Sequence, residues 1–451
     1  MQAGQRATIT INAIAAGGDG VGRLDGMAVF VPGTCRGETV EIELSRVKSG
    51  CAYGRLLNIL EPASCRRENF CPVSGSCGGC DFAHLTYPEQ LSVKRQIVVD
   101  ALERIGGFNG IAVSDTLGAK RPERYRNKMV FPLAVDKKGK ASGGFYAPGS
   151  HNLVPLTDCR QGDEAVSKWL METVNFLQEN HISIYDETSR RGVARRLFVR
   201  LAEGTKEAMV ILTINADNLR KSKQLVQRLL SIETDYRLSS IVLNIHKEAN
   251  NLLLGKTNQV LYGKEYIEDI LGGLSFRISP HSFYQVNSVQ TEVLYGTALS
   301  LAELTGEETV LDLFCGIGTI SLFAARHAGR VIGVEVVPQA IENAKENAQR
   351  NGITNAEFLL GKAEEIAPKL VCEKPAVVFL DPPRKGAEKE ALDAILTMAP
   401  PKIVYISCNP ATLARDMKYL CENGYRPETV VPVDMFPNTS HVECVVKLKQ
   451  K

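Results

Sequence analysis

The chain carries almost no net charge: 53 Lys and Arg against 51 Asp and Glu leave +2 over 451 residues. Any surface for nucleic acid is therefore a local patch rather than a global field. Long apolar runs are missing too, and none approaches the ~18 residues of a membrane-spanning helix. The stretch from Met1 to Asn12 lacks the apolar core of a secretory signal, so no membrane association is expected and the cytoplasm is the expected compartment. There is no long internal repeat and no low-complexity segment. Cysteine, by contrast, is abundant at 12 residues, and in a reducing compartment that number points to metal ligation or catalysis before disulfides. A chain of this length should divide into about two to four domains.

Three regions differ in pattern. Residues 1–62 hold short β-prone runs (Ile9 to Ile11, Ala28 to Val31, Glu38 to Leu44, Tyr53 to Ile59) separated by turn-rich stretches such as Gly17-Gly18-Asp19-Gly20, which together suggest a small β-barrel. Residues 63–285 mix helical and strand patterns, the expectation being an α+β domain. Glu89 to Ile105 reads as a helix ended by Gly106-Gly107, and Leu197 to Leu201 and Met209 to Ile214 read as strands. Between Cys65 and Cys80 there is no periodicity at all, so something other than an apolar core must order that loop. Residues 286–451 alternate strand and helix, with strands near 309–313, 331–336, 357–360, 376–380, 402–407, 429–434 and 442–448. That alternation predicts an α/β fold with a doubly wound, mostly parallel sheet.

Chemistry-bearing residues sit at the strand ends of that last region. Val310-Leu-Asp-Leu-Phe-Cys-Gly-Ile-Gly-Thr319 runs from an apolar strand into a Gly-x-Gly turn and a helix, and Gly316 and Gly318 let a ligand approach the backbone at the helix N-terminus. The next strand ends in Glu335, about twenty residues on, where a carboxylate can accept both ribose hydroxyls of an adenosine. A nicotinamide cofactor stays open at this point, although the third glycine of the dinucleotide fingerprint is absent. Val377-Val-Phe-Leu-Asp381-Pro-Pro-Arg-Lys-Gly386 delivers an acid and two stiff prolines to the same crevice, with Arg384 where amino-group methyltransferases carry an aromatic residue. Ser407-Cys408-Asn409-Pro410 ends the following strand, and the positive end of the next helix is expected to favour thiolate at Cys408. Cys315, Cys372, Cys421 and Cys444 read as structural, buried cysteines. Glu443, at a strand entrance near Cys408, is the candidate general base, with His441 a neighbouring candidate on the same side of an alternating strand.

Cys71, Cys77 and Cys80 place three thiolates on one short loop, and Cys159 in Leu156-Thr-Asp-Cys-Arg is available to close a four-ligand site. Spacing alone leaves zinc and an iron–sulfur cluster both open, and Cys65 is a spare. Two basic runs, Lys120 to Lys128 and the group Arg190, Arg191, Arg195, Arg196 and Arg200, are candidate phosphate contacts.

In this order, Phe314-Cys-Gly-Ile-Gly, Asp381-Pro-Pro-Arg, Ser407-Cys408-Asn-Pro and His441-Val-Glu443 resemble the RNA 5-methyluridine methyltransferases over essentially the whole chain. With the cysteine trio and the barrel, the chain is most similar to the bacterial 23S ribosomal RNA branch. The resemblance implies a C-terminal Rossmann-like class I methyltransferase domain and an OB-like barrel that is a TRAM-type RNA-binding domain. It implies that Cys71, Cys77, Cys80 and Cys159 hold a [4Fe-4S] cluster, and that Gln285 in Ser282-Phe-Tyr-Gln-Val-Asn, Phe314, Gly316, Gly318, Glu335 and Asp381 form the S-adenosylmethionine site. Cys408 carries over as the nucleophile that attacks carbon 6 of uracil and makes carbon 5 enolate-like, Glu443 as the base that removes the carbon 5 proton. The implied partner is 23S ribosomal RNA and the implied state a monomer. tRNA-modifying relatives generally lack the barrel and the cluster, and a tRNA uracil-5 methyltransferase is the alternative. A cytosine-5 enzyme would carry a cysteine beside the prolines of the Asp381 loop, and none is there. A non-catalytic RNA-binding iron–sulfur protein would bind RNA without releasing tritium from carbon-5-labelled uridine. One departure stands out: Asn438 occupies a position where the family often has His.

Overall fold

The computed structural model describes residues 1–68, 70–136, 139–250 and 252–451. At the N-terminus β1 (Arg6–Ile14), β2 (Gly20–Leu24), β3 (Met27–Val31), β4 (Thr39–Val47) and β5 (Cys51–Glu61) close into a barrel in the order β1-β2-β3-β5-β4. Alternate residues point inward, and Ile9, Ile11, Val29, Val31, Val40, Ile42 and Leu44 are buried. Strand β2 occupies part of what reads in the sequence as a turn-rich stretch. Its glycines are required by crowding rather than by turning: a Cβ on Gly20 would meet Thr34 Oγ1 at 1.9 Å.

The helix Tyr87–Ala101 follows the cysteine-rich loop and widens into a π-helical turn, Leu102–Gly106, ended by left-handed Gly107. The central region builds a seven-stranded sheet from β6 (Lys128–Val135), β7 (Ala141–Tyr146), β8 (Leu153–Pro155), β9 (Ala194–Leu201), β10 (Glu207–Ile214), β11 (Arg237–Ile245) and β12 (Thr257–Gly263), in the order β12-β11-β10-β9-β6-β7-β8. Strand alternation divides its side chains between two cores. Leu197, Val199, Val210 and Leu212 pack with Trp169 on one face. On the other, Phe198, Met209 and Ile211 share a core with the hairpin β13 (Ile267–Leu271) and β14 (Leu274–Ile278) and with one side of the C-terminal sheet.

That C-terminal sheet contains β15 (Thr309–Leu313), β16 (Arg330–Glu335), β17 (Ala356–Leu360), β18 (Val377–Leu380), β19 (Lys402–Ser407), β20 (Tyr425–Val433) and β21 (Glu443–Gln450), in the order β17-β16-β15-β18-β19-β21-β20. The five strands β15 to β19 run parallel, and β21 inserts antiparallel between β19 and β20. Parallel strands covered on both faces must be apolar throughout, which is why Val377–Leu380 is buried at every position. The order reverses between β15 and β18, and ligands bind beyond the carboxyl ends of strands at such a switch point. Among the described residues no helix is long and apolar enough to cross a membrane.

Most of the basic residues expected to face RNA are used internally. Arg195 and Arg200 are buried, the first donating to the carbonyls of His246 and Glu248, the second to those of Pro280 and Ser282. Arg196 is engaged with Glu187 at 3.0 Å and Arg124 is held by both oxygens of Asp158. Irregular connections need donors for their carbonyls, and guanidinium forks supply them. Lys120, Arg121, Arg190 and Arg191 remain exposed.

Candidate active site

Gln285, Phe314, Gly316, Glu335, Asp381, Cys408 and Glu443 all line one cavity of about 820 Å³ beyond the carboxyl ends of β15, β16, β18 and β19. The cofactor loop enters it through Phe314, whose φ is 75°, a conformation that a bulky side chain holds only under constraint. The amides of Phe314 and Cys315 both donate to the carbonyl of Val334 and clamp the turn to β16. Gly318 does not line the cavity. It sits at φ 81° at the start of the helix Thr319–Ala325, where a Cβ would press on Phe358 at 3.0 Å, so it serves the loop's backbone. Glu335 ends β16 with one carboxylate oxygen receiving the Gly316 amide at 3.1 Å and the other those of Val336 and Val337 at 2.9 and 3.0 Å. Gln285 approaches from the central region, its carbonyl bonded by Asn127 Nδ2 at 2.8 Å and its side chain beside the Tyr295 hydroxyl.

The Ser-Cys-Asn-Pro segment is a fastened turn. Ser407 Oγ accepts the Asn409 amide at 3.2 Å and donates to the Asn409 carbonyl at 3.1 Å. Asn409 caps the helix Pro410–Glu422 by accepting from Ala411 N, and its Nδ2 donates to the Arg384 carbonyl at 3.1 Å. The turn bearing Cys408 is thereby locked to the Asp381 loop, with Pro410 preset for the first helical turn. Across the sheet Ser407 pairs with Cys444, so Cys408 and Glu443 lie one step further at the same end.

Electrostatically the crevice is acidic. Burial and then the Asp381 charge push Glu443 up to about 8, and burial and then the Asp312 charge push Asp381 up to about 7. Asp312, bonded by Ser321, is likewise raised by burial to about 7. Cys408 is pushed up to about 11 by burial, then by Glu443 and Asp381, while Arg384 pulls the other way. The expectation of a thiolate favoured by the helix end is thus corrected: desolvation and two carboxylates outweigh the dipole in the free protein. Of the cysteines read as structural, Cys315 and Cys444 are buried and Cys421 half-buried, whereas Cys372 is exposed on the surface turn Ala367–Glu373.

Glu443 and His441 separate clearly. Glu443 faces the Cys408 cavity, whereas His441 stands at the wall of a second cavity, of about 290 Å³, lined by Cys71, Cys77, Cys80 and Cys159. Phe436 lies between them, edge-on to His441 at 6.1 Å and lining the Cys408 cavity. The segment joining the two cavities is pinned by buried groups: Lys94 bonds Asp434 and the Phe436 carbonyl, and Ser440 Oγ donates to Asp81 at 2.9 Å. Asn438 takes a left-handed φ of 67°, which Asn tolerates, and its Oδ1 accepts from Arg67 at 2.6 Å and Gln90 at 3.1 Å while Nδ2 donates to the Pro122 carbonyl. The spare Cys65 lies beside Cys35 at the barrel, bonded to the Arg36 carbonyl, and does not line the cysteine cavity. Burial raises Cys77, Cys159 and Cys80, the last to about 12. Among the described residues no group of three or more His, Cys, Asp or Glu side chains is drawn together around a single metal-ion position.

Sequence reasoning passed over Phe283, which is 67% exposed at the cavity rim, and Tyr295, buried beneath it. Phe283 sits inside the quoted Ser-Phe-Tyr-Gln-Val-Asn segment, but only the fold reveals that its ring faces outward.

Residues 243–451 match the family model described as tRNA (Uracil-5-)-methyltransferase, and residues 2–57 match the TRAM domain. An RNA methyltransferase of Clostridium tetani is 44% identical over 431 residues, covering 95% of this chain and 93% of its own length. One from Halalkalibacterium halodurans is 42% identical over 445 residues, 98% of this chain and 96% of that protein. Among solved structures, the Pyrococcus abyssi tRNA (uracil-54, C5)-methyltransferase in complex with S-adenosyl-L-homocysteine is 27% identical, with a TM-score of 0.78 over 98% of this chain and all of that one. The match spans the N-terminal barrel region as well, which corrects the expectation that tRNA-modifying relatives lack it. With an N-terminal TRAM barrel, a class I methyltransferase sheet and these relatives, the chain belongs to the RNA uracil-5 methyltransferase family, whose methyl donor is S-adenosylmethionine.

Proposed function

We propose that the protein methylates carbon 5 of a uridine in 23S ribosomal RNA through a covalent bond between Cys408 and the base, acting as a cytoplasmic monomer. The observation that carries this reading is that Cys408 and Glu443 enter one cavity together with the cofactor loop. S-adenosylmethionine, when bound, supplies an electrophilic methyl group there, and Gln285, Phe314, Gly316, Glu335 and Asp381 are the residues that would hold it. Glu335 is already aimed by three backbone amides, which suits a carboxylate that receives ribose hydroxyls.

Carbon 5 of uracil is too weak a nucleophile to take a methyl group unaided. Cys408 gives its proton to a crevice carboxylate as its sulfur bonds to carbon 6, and the ring becomes an enolate. Carbon 5 then takes the methyl group as the bond from that group to the donor sulfur breaks. Glu443 removes the remaining proton from carbon 5, the sulfur–carbon bond breaks, and 5-methyluridine is released. Raised carboxylates serve this sequence because a base near neutrality both accepts and releases a proton readily. Phe283 at the rim offers a ring face to the displaced nucleobase.

The reading includes a [4Fe-4S] cluster at Cys71, Cys77, Cys80 and Cys159. Four thiols line one cavity of about 290 Å³ there, a donor set of the kind four-thiolate ligation requires. The resemblance of the site motifs and the cysteine trio to the 23S ribosomal RNA branch supports ribosomal RNA. A second reading, uridine in tRNA, is favoured by the Pyrococcus relative, which acts on uracil 54 of tRNA. Mass spectrometric mapping of both RNA classes from cells lacking the gene decides: a 5-methyluridine missing from 23S ribosomal RNA and restored by complementation supports the proposal, and a loss confined to tRNA contradicts it.

A further inference from the structure

Among the described residues, two polar atoms at the cysteine cavity are buried without a hydrogen-bond partner, Nε of Arg126 and Oε1 of Gln161. Both residues line the cavity. The other end of the Gln161 amide is engaged, since Nε2 donates to Cys80 Sγ at 3.1 Å. Neither side chain reaches its place by accident: the Arg126 amide donates to the Gln161 carbonyl at 2.9 Å and the Arg124 amide to the Arg160 carbonyl at 2.7 Å, so residues 124–126 and 160–162 form one short ladder. This ladder aims one guanidinium and one carboxamide at the thiols.

Arg126 belongs to the run singled out in the sequence as a phosphate contact, yet the fold turns it inward. Its ionisable neighbours are Tyr125, Cys80 and Cys159, with Lys128 and His441 also within electrostatic reach. The acid at the cavity, Asp81, is committed to Ser440, and Arg160 leans on Asp158 at 3.8 Å. A buried guanidinium with an unsatisfied donor is costly, and a nearby anion with acceptor sulfurs removes that cost. A four-thiolate iron–sulfur centre is such an anion: it carries net negative charge that grows by one unit when an electron is added.

We propose that Arg126 is the counter-charge of the centre held by Cys71, Cys77, Cys80 and Cys159, donating Nε–H to a cluster or cysteine sulfur and raising the potential at which the centre accepts an electron. Gln161 is the neutral second donor, through Nε2 to Cys80. A fixed positive charge in a low-dielectric site favours the more negative, reduced form, and hydrogen bonds to sulfur act in the same direction. The inference rests on the cluster reading given above.

The test is an anaerobic dithionite titration, followed by electron paramagnetic resonance, of full-length reconstituted wild-type, Arg126→Lys, Arg126→Met and Gln161→Leu proteins, with iron and sulfide measured in each. The expected result is a midpoint potential that falls in Arg126→Met, falls less in Gln161→Leu, and stays nearest to wild type in Arg126→Lys. A fully loaded Arg126→Met protein with an unchanged midpoint overturns the inference alone. Wild-type protein that takes up no iron and sulfide overturns the cluster reading, and this inference with it. Loss of iron in Arg126→Met with retention in Arg126→Lys supports the counter-charge, and loss in both variants overturns it.

Discussion

Cys408 and Glu443 sit at the same end of the antiparallel pair β19 and β21, each one residue beyond the coupled Ser407 and Cys444, and both face the cofactor cavity. Directly opposed residues on neighbouring strands share a face of the sheet. A nucleophile and a base brought together by strand register hold their separation more rigidly than two groups on loops would. The insertion of β21 between β19 and β20 is what creates this proximity.

Replacing Cys408 by Ala removes the sulfur and leaves the cofactor loop intact. Methyl transfer to RNA should fall below detection, while S-adenosylmethionine still raises the melting temperature by the same amount as in wild type. Residual transfer at a tenth of the wild-type rate or more would remove the thiol from the mechanism.

Cofactor affinity should depend on pH with a defined sign. Glu443, raised to about 8, and Asp312 and Asp381, raised to about 7, are neutral below those values and anionic above them. A sulfonium cation binds the anionic form better, so affinity for S-adenosylmethionine rises as pH increases from 6 to about 8.5 and binding releases protons. S-adenosylhomocysteine, which lacks the sulfonium charge, should show a much flatter profile. Calorimetry of both ligands in buffers of different ionisation enthalpy measures this, and parallel profiles would contradict it.

Most of the C-terminal architecture was legible because its determinants are local. Buried parallel strands are predominantly apolar, and the Gly-x-Gly, Asp-Pro-Pro and Ser-Cys-Asn-Pro segments each follow one of them. The placement of Cys408 beyond β19 follows from that pattern. Its protonation does not, since burial, and then the charges of Glu443 and Asp381, reach it through the tertiary fold and not through neighbours in the chain. The same holds for the basic runs: Arg195 and Arg200 look like phosphate ligands in one dimension and prove to be donors to carbonyls more than 50 residues away. The division of roles between His441 and Glu443 was undecidable from alternation alone, because the two sit on the same parity and part only where β21 begins.

Asn438→Ala should destabilise the protein by roughly 3 kcal/mol, since the Arg67 and Gln90 donors lose a buried acceptor and Ala is strained at this left-handed position. The melting temperature should fall and the fall should be reduced by a His replacement, which restores an acceptor. An Asn438→Ala protein as stable as wild type would show that the segment between the two cavities is fixed by other contacts.

Phe283→Ala should raise KM for RNA by roughly fivefold to a hundredfold, the value of stacking one base on one aromatic ring at ~1–3 kcal/mol. Affinity for S-adenosylmethionine should change little. An unchanged KM would place the displaced base elsewhere in the cavity.

The most direct measurement is peptide mapping of a trapped complex. Glu443→Gln protein is incubated with substrate RNA and S-adenosylmethionine, resolved on a denaturing gel, digested with protease and nuclease, and analysed by mass spectrometry. The expected species is a peptide bearing Cys408 with a methylated uridine nucleotide attached through sulfur. Full-rate methylation by this variant with every cysteine unmodified would contradict the covalent mechanism.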